Sequence, residues 1–408
     1  MIEGLPTLDD VNSSGKNILL RVDINAPIVN STILDTTRFE SHLSTLRELE
    51  GCKVVILAHQ SRPGKKDFTP LEAHAEVLSK LLGREVEYID EVFGRCAIDK
   101  IKSMKHGYLL LENVRYYAEE TLKRDPEGHS TSMIVSRLSP LFDLYVNDAF
   151  SASHRSQASL VGFPPVLPSV AGRLVEKEVT ALSKALKSRD DKIFILGGAK
   201  IEDSVKVMKN VLTKNIAKKV AITGVVANYF LMLEGKNIGE INRKIVEENK
   251  NGVNDEEMLR ILKEYREKII LPIDFGVDMG GKREDIDVDS FDGEGRIMDI
   301  GVDSISVLAE EIQKYGVAVI NGPAGVFEDE KFSLGTFEVL KSVSKAKFSV
   351  VGGGHISTAA RLIGIERKMS HVSTGGGASI RFLSGEKLPA LEVIKEYWQK
   401  KWSKEIPL

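Results

Sequence analysis

Cysteine is scarce: only Cys52 and Cys96 occur in 408 residues, far apart and outside any CxxC or Cys/His ligand spacing. Neither a disulfide framework nor a zinc site is suggested. Charge of one sign is not in excess either, since 56 Lys and Arg against 59 Asp and Glu leave a formal net charge of −3. A chain that coats nucleic acid or an anionic membrane would need a basic surplus, so any positive site must be local. No apolar run approaches the ~20 residues of a membrane span, and the opening MIEGLPTLDDVNSS lacks a basic segment followed by an apolar stretch. A cytoplasmic chain with neither nucleic-acid nor membrane partners is expected. Repeats and low-complexity tracts are absent too.

What is present is a recurring alternation. The chain is 42% hydrophobic and too long for one core of ordinary size, so two domains are expected. Short β-branched runs end in Gly, Asn, Asp or His and most are followed by helical periodicity, the rhythm of βαβ units. The pattern predicts strands at 17–25, 53–59, 107–113 and 143–150, with helices near 37–50, 71–82 and 128–138. The second half gives strands at 192–198, 219–224, 268–277, 295–301, 317–322 and 348–354. An α/β fold follows, with one parallel sheet per half covered by helices on both faces. The proline-rich stretch at 162–169 can be neither helix nor interior strand, which places a boundary there: domains at 1–170 and 171–388, and a helical tail at 389–408 able to brace the first domain. The segment 236–268 is rich in Asn, Glu and Lys and reads as a solvated insertion with an amphipathic helix near 256–268.

Ligands of open α/β sheets sit outside the carboxyl ends of the strands, and here those ends carry a pattern. RVDIN closes the first strand, HQSRP follows the second, ENVR the third and NDAFSASHR the fourth. Together with Arg38 they collect His59, Arg62, Arg115 and Arg155 on one rim, beside Asp23 and Asn25. Singly, each has a bland reading: a surface arginine, a satisfied core histidine, Asp23 as an ion-pair partner of Arg21. Four consecutive strand ends of this kind fit a small multiply anionic ligand, because a guanidinium fork matches phosphate and carboxylate oxygens. A sugar or glycerate phosphate is the class implied.

The second half carries glycine turns after apolar runs: Gly197–Gly198–Ala199–Lys200, Asn321–Gly322–Pro323–Ala324–Gly325, Gly352–Gly353–Gly354–His355 and Thr374–Gly375–Gly376–Gly377. Such turns let backbone N–H groups approach a phosphate, and a helix starting just after adds its positive end. No GxGxxG follows the first strand, and the nearest approach to a P-loop, 276–283, ends in Arg where Ser or Thr belongs, so it reads as a loop.

RVDIN, HQSRP, LLLENVRYY, NDAFSASHRS, AGRLVEKEV, ILGGAK, NGPAGVFE, VVGGG and STGGGAS occur in the order found in phosphoglycerate kinases, from about Leu19 to Leu383. The chain resembles that family, in its archaeal-type branch. The resemblance implies two Rossmann-like lobes joined by a hinge near 168–176. It implies 3-phosphoglycerate on Asp23, Asn25, Arg38, His59, Arg62, Arg115 and Arg155. ADP or ATP would lie on Gly197, Gly198, Ala199, Lys200, Asn321, Glu328, Gly353, Gly354, His355 and Ile356. Arg38, Lys200, Gly353 and Gly376 would surround the phosphoryl group in transfer. Magnesium would arrive with the nucleotide, and the chain would be a monomer or homodimer.

Two positions depart from the family pattern. Its GGAKxxDK has a second lysine where this chain has Ser204, with Lys206 two residues on; its GGGD has an aspartate where this chain has His355. Magnesium prefers hard oxygen ligands, so a histidine is a poor substitute. A dinucleotide-dependent oxidoreductase would share the rhythm but predicts a complete fingerprint, and a phosphometabolite sensor would have no reason to keep both Arg38 and Lys200.

Overall fold

The computed structural model describes residues 1–30 and 32–405. Its chain divides into two units, Met1–Thr180 with Lys387–Leu408, and Ala181–Glu386. The division falls inside the helix Arg173–Lys187, beyond the proline-rich stretch where the sequence placed it. Ser169–Ala171 is the reason, since it pairs in parallel with Leu144–Asn147 and so extends the first sheet.

The first unit is built on six strands in the order Val86–Ile89, Gly107–Leu111, Lys53–Leu57, Asn17–Arg21, Leu144–Asn147 and Ser169–Ala171, all parallel. Side chains alternate across a strand, and here both faces are apolar. Ile18, Leu20, Val54, Ile56, Leu110, Leu144 and Val146 enter one core, while Leu19, Val55, Leu57, Leu109, Leu111 and Tyr145 enter the other. A strand wrapped on both faces reads as a continuous hydrophobic run, which is why the central strands were legible. Truncating one such residue, as in Leu20→Ala, should cost about 2–5 kcal/mol. The strand Val86–Ile89 and the helix Arg95–Ser103 were not predicted; the strand is short and only Val86 is fully buried. The C-terminal segment closes this unit's first core: Trp398 and Trp402 lie in it, and Trp402 Nε1 donates to Pro164 O at 2.8 Å.

The second unit has a parallel sheet in the order Ile269–Ile270, Lys219–Ile222, Lys192–Leu196, Val317–Asn321, Phe348–Gly352 and His371–Ser373. A separate antiparallel sheet joins Lys282–Asp287, Asp274–Met279 and Arg296–Ile300. Two sequence expectations are corrected here. The run 268–277 is two strands in different sheets, and the stretch 276–283 is a hairpin, not a loop. Lys282–Asp287 is polar at nearly every position and buries none of them, so it offers no apolar alternation to read. The segment 236–268 holds two helices, Gly239–Asn249 and Asp255–Glu264, the latter capped by Asn254 Oδ1 accepting from Glu257 N at 2.9 Å. Val246, Met258, Ile261 and Leu262 are buried, so one face of this supposedly solvated insertion is core.

Candidate functional site

Each central strand of the first unit stops where its apolar run stops, at Arg21, Leu57, Leu111 and Asn147. The polar residues that follow leave the sheet as loops on one edge, and their contacts define a site. Asp23, nearly buried, accepts from Arg38 Nη1 at 2.7 Å and from the Ser151 hydroxyl. Burial alone would raise the Asp23 carboxyl, but the surrounding groups, the Arg38 guanidinium foremost, outweigh it and hold it below the usual carboxylate range. Asn25 Oδ1 accepts from Ser61 N at 2.7 Å, tying the first loop to the second. Gln60 secures the same junction, accepting from Ala26 N at 3.0 Å and donating to Ala26 O at 2.8 Å.

The cations crowd one another. Arg115 donates to Ser61 O, and its pKa is pushed down to about 10 by burial, then by Arg155 and Arg21. Arg155 is lowered by burial too, with Asp23 opposing, and its buried Nη1 has no hydrogen-bond partner among the described residues. His59 is held well below the usual imidazole range, chiefly by burial, with Arg21, Arg115 and Arg155 adding and Asp23 opposing. A group of half-buried guanidinium cations, one with a buried nitrogen left without a partner among the described residues, is the electrostatic complement of a small polyanion. The structure thus brings together Asp23, Asn25, Arg38, His59, Arg115 and Arg155, whereas Arg62 is exposed at the margin.

Sequence reasoning missed the supports beneath this rim. Arg21 does not pair with Asp23; its fully buried guanidinium meets Ser159 and His59. His42 donates from Nδ1 to Asp148 Oδ2 at 2.8 Å, and its Nε2 accepts from Asp23 N at 3.1 Å. The other Asp148 oxygen accepts from Leu174 N at 2.9 Å, in the first turn of the helix Arg173–Lys187. Partners more than 100 residues apart leave no local signal; only the unusual density of polar residues in NDAF hinted at Asp148.

In the second unit the glycine turns lie at the carboxyl ends of adjacent strands. Gly197 N donates to Asn321 O and Gly198 N to Pro323 O, both at 2.8 Å, so two turns are stitched together. Gly322 makes this possible: its φ is 85°, and a Cβ there would lie 2.3 Å from Gly197 O. Lys200 is exposed just before the helix Ile201–Thr213, and Gly353 is half-buried just before the helix Gly354–Leu362. Gly376 precedes the shorter helix Gly377–Leu383. Beside them opens a cavity of about 220 Å³ with apolar walls from Val225, Phe275, Ile297 and Val326, and polar groups from Asn228, Glu328 and His355. Gly198 and Ala199 also line it. An apolar slot with few polar groups beside turns rich in backbone N–H suits a flat heteroaromatic ring joined to phosphates.

Asp299 forms part of the cavity wall and was not anticipated. Its carboxylate accepts from Arg283 Nη1, Gly335 N and Ile300 N at 2.8, 2.8 and 2.9 Å. Burial pushes its pKa up to about 6 against those donors. The Ile356 side chain is fully buried in the hydrophobic core, so its backbone is what faces a ligand at this turn. Ser204 is buried, and the half-exposed Lys206 pairs with Glu202 one helical turn before it. No group of three or more His, Cys, Asp or Glu positioned to hold a metal occurs among the described residues, and no described helix is long and apolar enough to cross a membrane.

Comparison with known proteins agrees with this geometry. The family model for phosphoglycerate kinase matches residues 8–386. A phosphoglycerate kinase of Archaeoglobus fulgidus is 67% identical over 405 residues, covering 99% of this chain and 100% of that one. One from Methanothermus fervidus is 48% identical, covering 96% of this chain and 97% of its own length. The crystal structure of the phosphoglycerate kinase from Pyrococcus horikoshii matches with a TM-score of 0.90 at 42% identity, covering 97% of this chain and 100% of that chain. An arginine rim on one sheet and glycine turns beside an apolar cavity on another therefore accompany a match along nearly the whole length, and the chain belongs to the phosphoglycerate kinase family.

Proposed function

We propose that the chain transfers a phosphoryl group reversibly between 1,3-bisphosphoglycerate and ADP, giving 3-phosphoglycerate and ATP. The observation that carries this reading is the buried Arg155 Nη1, without a hydrogen-bond partner among the described residues, close to Arg38, His59 and Arg115 on one edge of the sheet. In this reading the rim of the first unit holds 3-phosphoglycerate through Asp23, Asn25, Arg38, His59, Arg115 and Arg155, with Arg62 at its margin. The second unit takes the nucleotide, with the base in the cavity and the phosphates on the turns at Gly197–Lys200 and Gly353–Gly354. Asn321 and Glu328 stand toward the nucleoside.

The attacking group is a carboxylate or an ADP phosphate, ionised at neutral pH, so no general base is needed. Positioning and stabilisation of charge on the group in flight carry the catalysis, with Arg38, Lys200 and the N–H groups near Gly353 and Gly376 in that role. Donor and acceptor bind to different units, so a bending motion that excludes water belongs to the proposal. The donor set does not fit magnesium as a resident ligand, because His355 occupies the place of the family's aspartate and no cluster of His, Cys, Asp or Glu among the described residues replaces it. Magnesium is therefore written as part of the substrate, the Mg-nucleotide. Small-molecule partners alone, a cytoplasmic location and a monomer or homodimer complete the reading.

The test is purified protein with 3-phosphoglycerate and Mg-ATP, the acyl phosphate being trapped by a coupled reduction. Arg38→Ala should lower kcat by at least about 10³-fold with an unchanged circular dichroism spectrum. A fully active variant would remove Arg38 from the transfer step, and an inactive native protein would remove the reaction.

A further inference from the structure

Arg21 is the largest fully buried side chain among the described residues, and burying a guanidinium is costly unless every N–H is used. Nε donates to Ser159 Oγ at 2.8 Å and Nη1 to Val22 O. Glu120, itself buried, stands 4.0 Å from Nη2 as the counter-charge. Ser159 in turn donates to Glu120 from its backbone N at 2.8 Å and from Oγ at 2.6 Å, and Tyr145 donates to Ser159 O at 2.8 Å. The guanidinium is thus fixed from the sheet, from the turn Ala118–Thr121 and from the helix Ala158–Val161.

The remaining contact of Nη2 is His59 Nδ1, at 3.0 Å. A guanidinium has donors only and no acceptor, so Nδ1 must present its lone pair and cannot carry a proton while Arg21 stays where it is. A neutral imidazole then has its proton on Nε2, which makes no bond to protein among the described residues. The charged and titratable groups facing the ring are Arg21, Asp23, Arg115 and Arg155. Three of these four are cations, and a second proton on the ring would meet Arg21 directly.

We propose that Arg21 is a positioning residue that fixes His59 as the neutral imidazole protonated on Nε2, so that the rim offers its anionic substrate a hydrogen-bond donor at that point and not a further cation. This rests on the reading of the rim as the 3-phosphoglycerate site. The arginines then supply all the positive charge, while His59 supplies direction: it donates to one oxygen and does not titrate. Burial, which disfavours the charged ring, works the same way. A cationic His59 would make binding weaken as pH rises through the imidazole range. A locked neutral one removes that dependence.

The full-length chain labelled with ¹⁵N tests this through long-range ¹H–¹⁵N correlation of the imidazoles, with His59 assigned by the signal missing in His59→Gln. The expected spectrum has an unprotonated Nδ1 and a protonated Nε2, unchanged from about pH 5 to about pH 8. A proton on Nδ1, or a doubly protonated ring within that range, overturns the proposal. Arg21→Met combined with Glu120→Gln removes both buried charges together. His59 should then titrate or exchange tautomers, and the ratio of variant to native KM for 3-phosphoglycerate should change with pH while the kcat ratio does not. An unaltered tautomer in that variant would deny Arg21 its role. If the double variant does not fold, Arg21→Lys, which keeps a donor-only cation, should retain the native tautomer, and a shifted one counts against the proposal. Failure of native turnover with 3-phosphoglycerate would strike the substrate reading alone and leave the spectrum to decide on Arg21.

Discussion

Replacing Asp148 by alanine removes the acceptor of three donors at once. Its two oxygens take the His42 Nδ1 proton at 2.8 Å and the N–H groups of Leu174 and Val175 at 2.9 and 3.3 Å. The carboxylate is fully buried and packs against Gly172, where a Cβ would come within 2.3 Å of Asp148 Oδ1. Loss of a helix cap costs about 1 kcal/mol, and each buried donor left unsatisfied costs about 1–3 kcal/mol. Relief of the carboxylate's own desolvation offsets part of this, and about 4 kcal/mol remains, in the range found when one partner of a buried pair is deleted. Both tryptophans, Trp398 and Trp402, lie buried in the first unit, so urea unfolding followed by tryptophan fluorescence reports that unit alone. With a slope of about 2.5 kcal/mol per M the midpoint should fall by ~1.5 M. His42→Ala should be less costly, and the double variant should show a coupling of about 1–3 kcal/mol. An Asp148→Ala midpoint within about 0.2 M of the native value would refute the reasoning, because it would mean these bonds contribute nothing net.

Gly322→Ala places a side chain at positive φ and against Gly197 O. It should destabilise the second unit by at least about 2 kcal/mol and weaken nucleotide binding by calorimetry; native-like affinity would contradict the stitched-turn geometry. His74, buried and donating from Nε2 to Gln60 Oε1 at 3.1 Å, has its pKa lowered by burial to about 4. Its neutral form is the folded one, so its contribution is complete above the unfolded pKa of about 6.5 and is lost as pH falls toward about 4, by up to ~3 kcal/mol. His74→Gln should therefore lose less stability than the native chain between about pH 7 and about pH 4.5, and parallel losses in urea titrations would sink the assignment. His59 and His129 are lowered as well, so the native slope should flatten in the variant without vanishing.

The sequence by itself settled the α/β class, the strands whose two faces are both buried, and the polar residues that end them. Such information is local: an apolar run such as Ile18–Leu19–Leu20 is buried on both sides whatever its neighbours, and the residue that breaks the run marks the rim. Asp23, His59, Arg115 and Arg155 were read this way, with Arg38 added from the start of the first helix, and the glycine turns of the second unit likewise. Short or polar strands escaped, as Val86–Ile89 and Lys282–Asp287 did, because pairing with neighbours and not their own hydrophobicity holds them extended. Only the tertiary structure decided what lies under the rim. Arg21 turning to His59, His42 bridging Asp23 to Asp148, and Arg283 meeting Asp299 beside the cavity all depend on which strands became neighbours. A hydrogen bond between residues distant in sequence is set by sheet order, and strand sequences that are apolar on both faces carry little to specify that order.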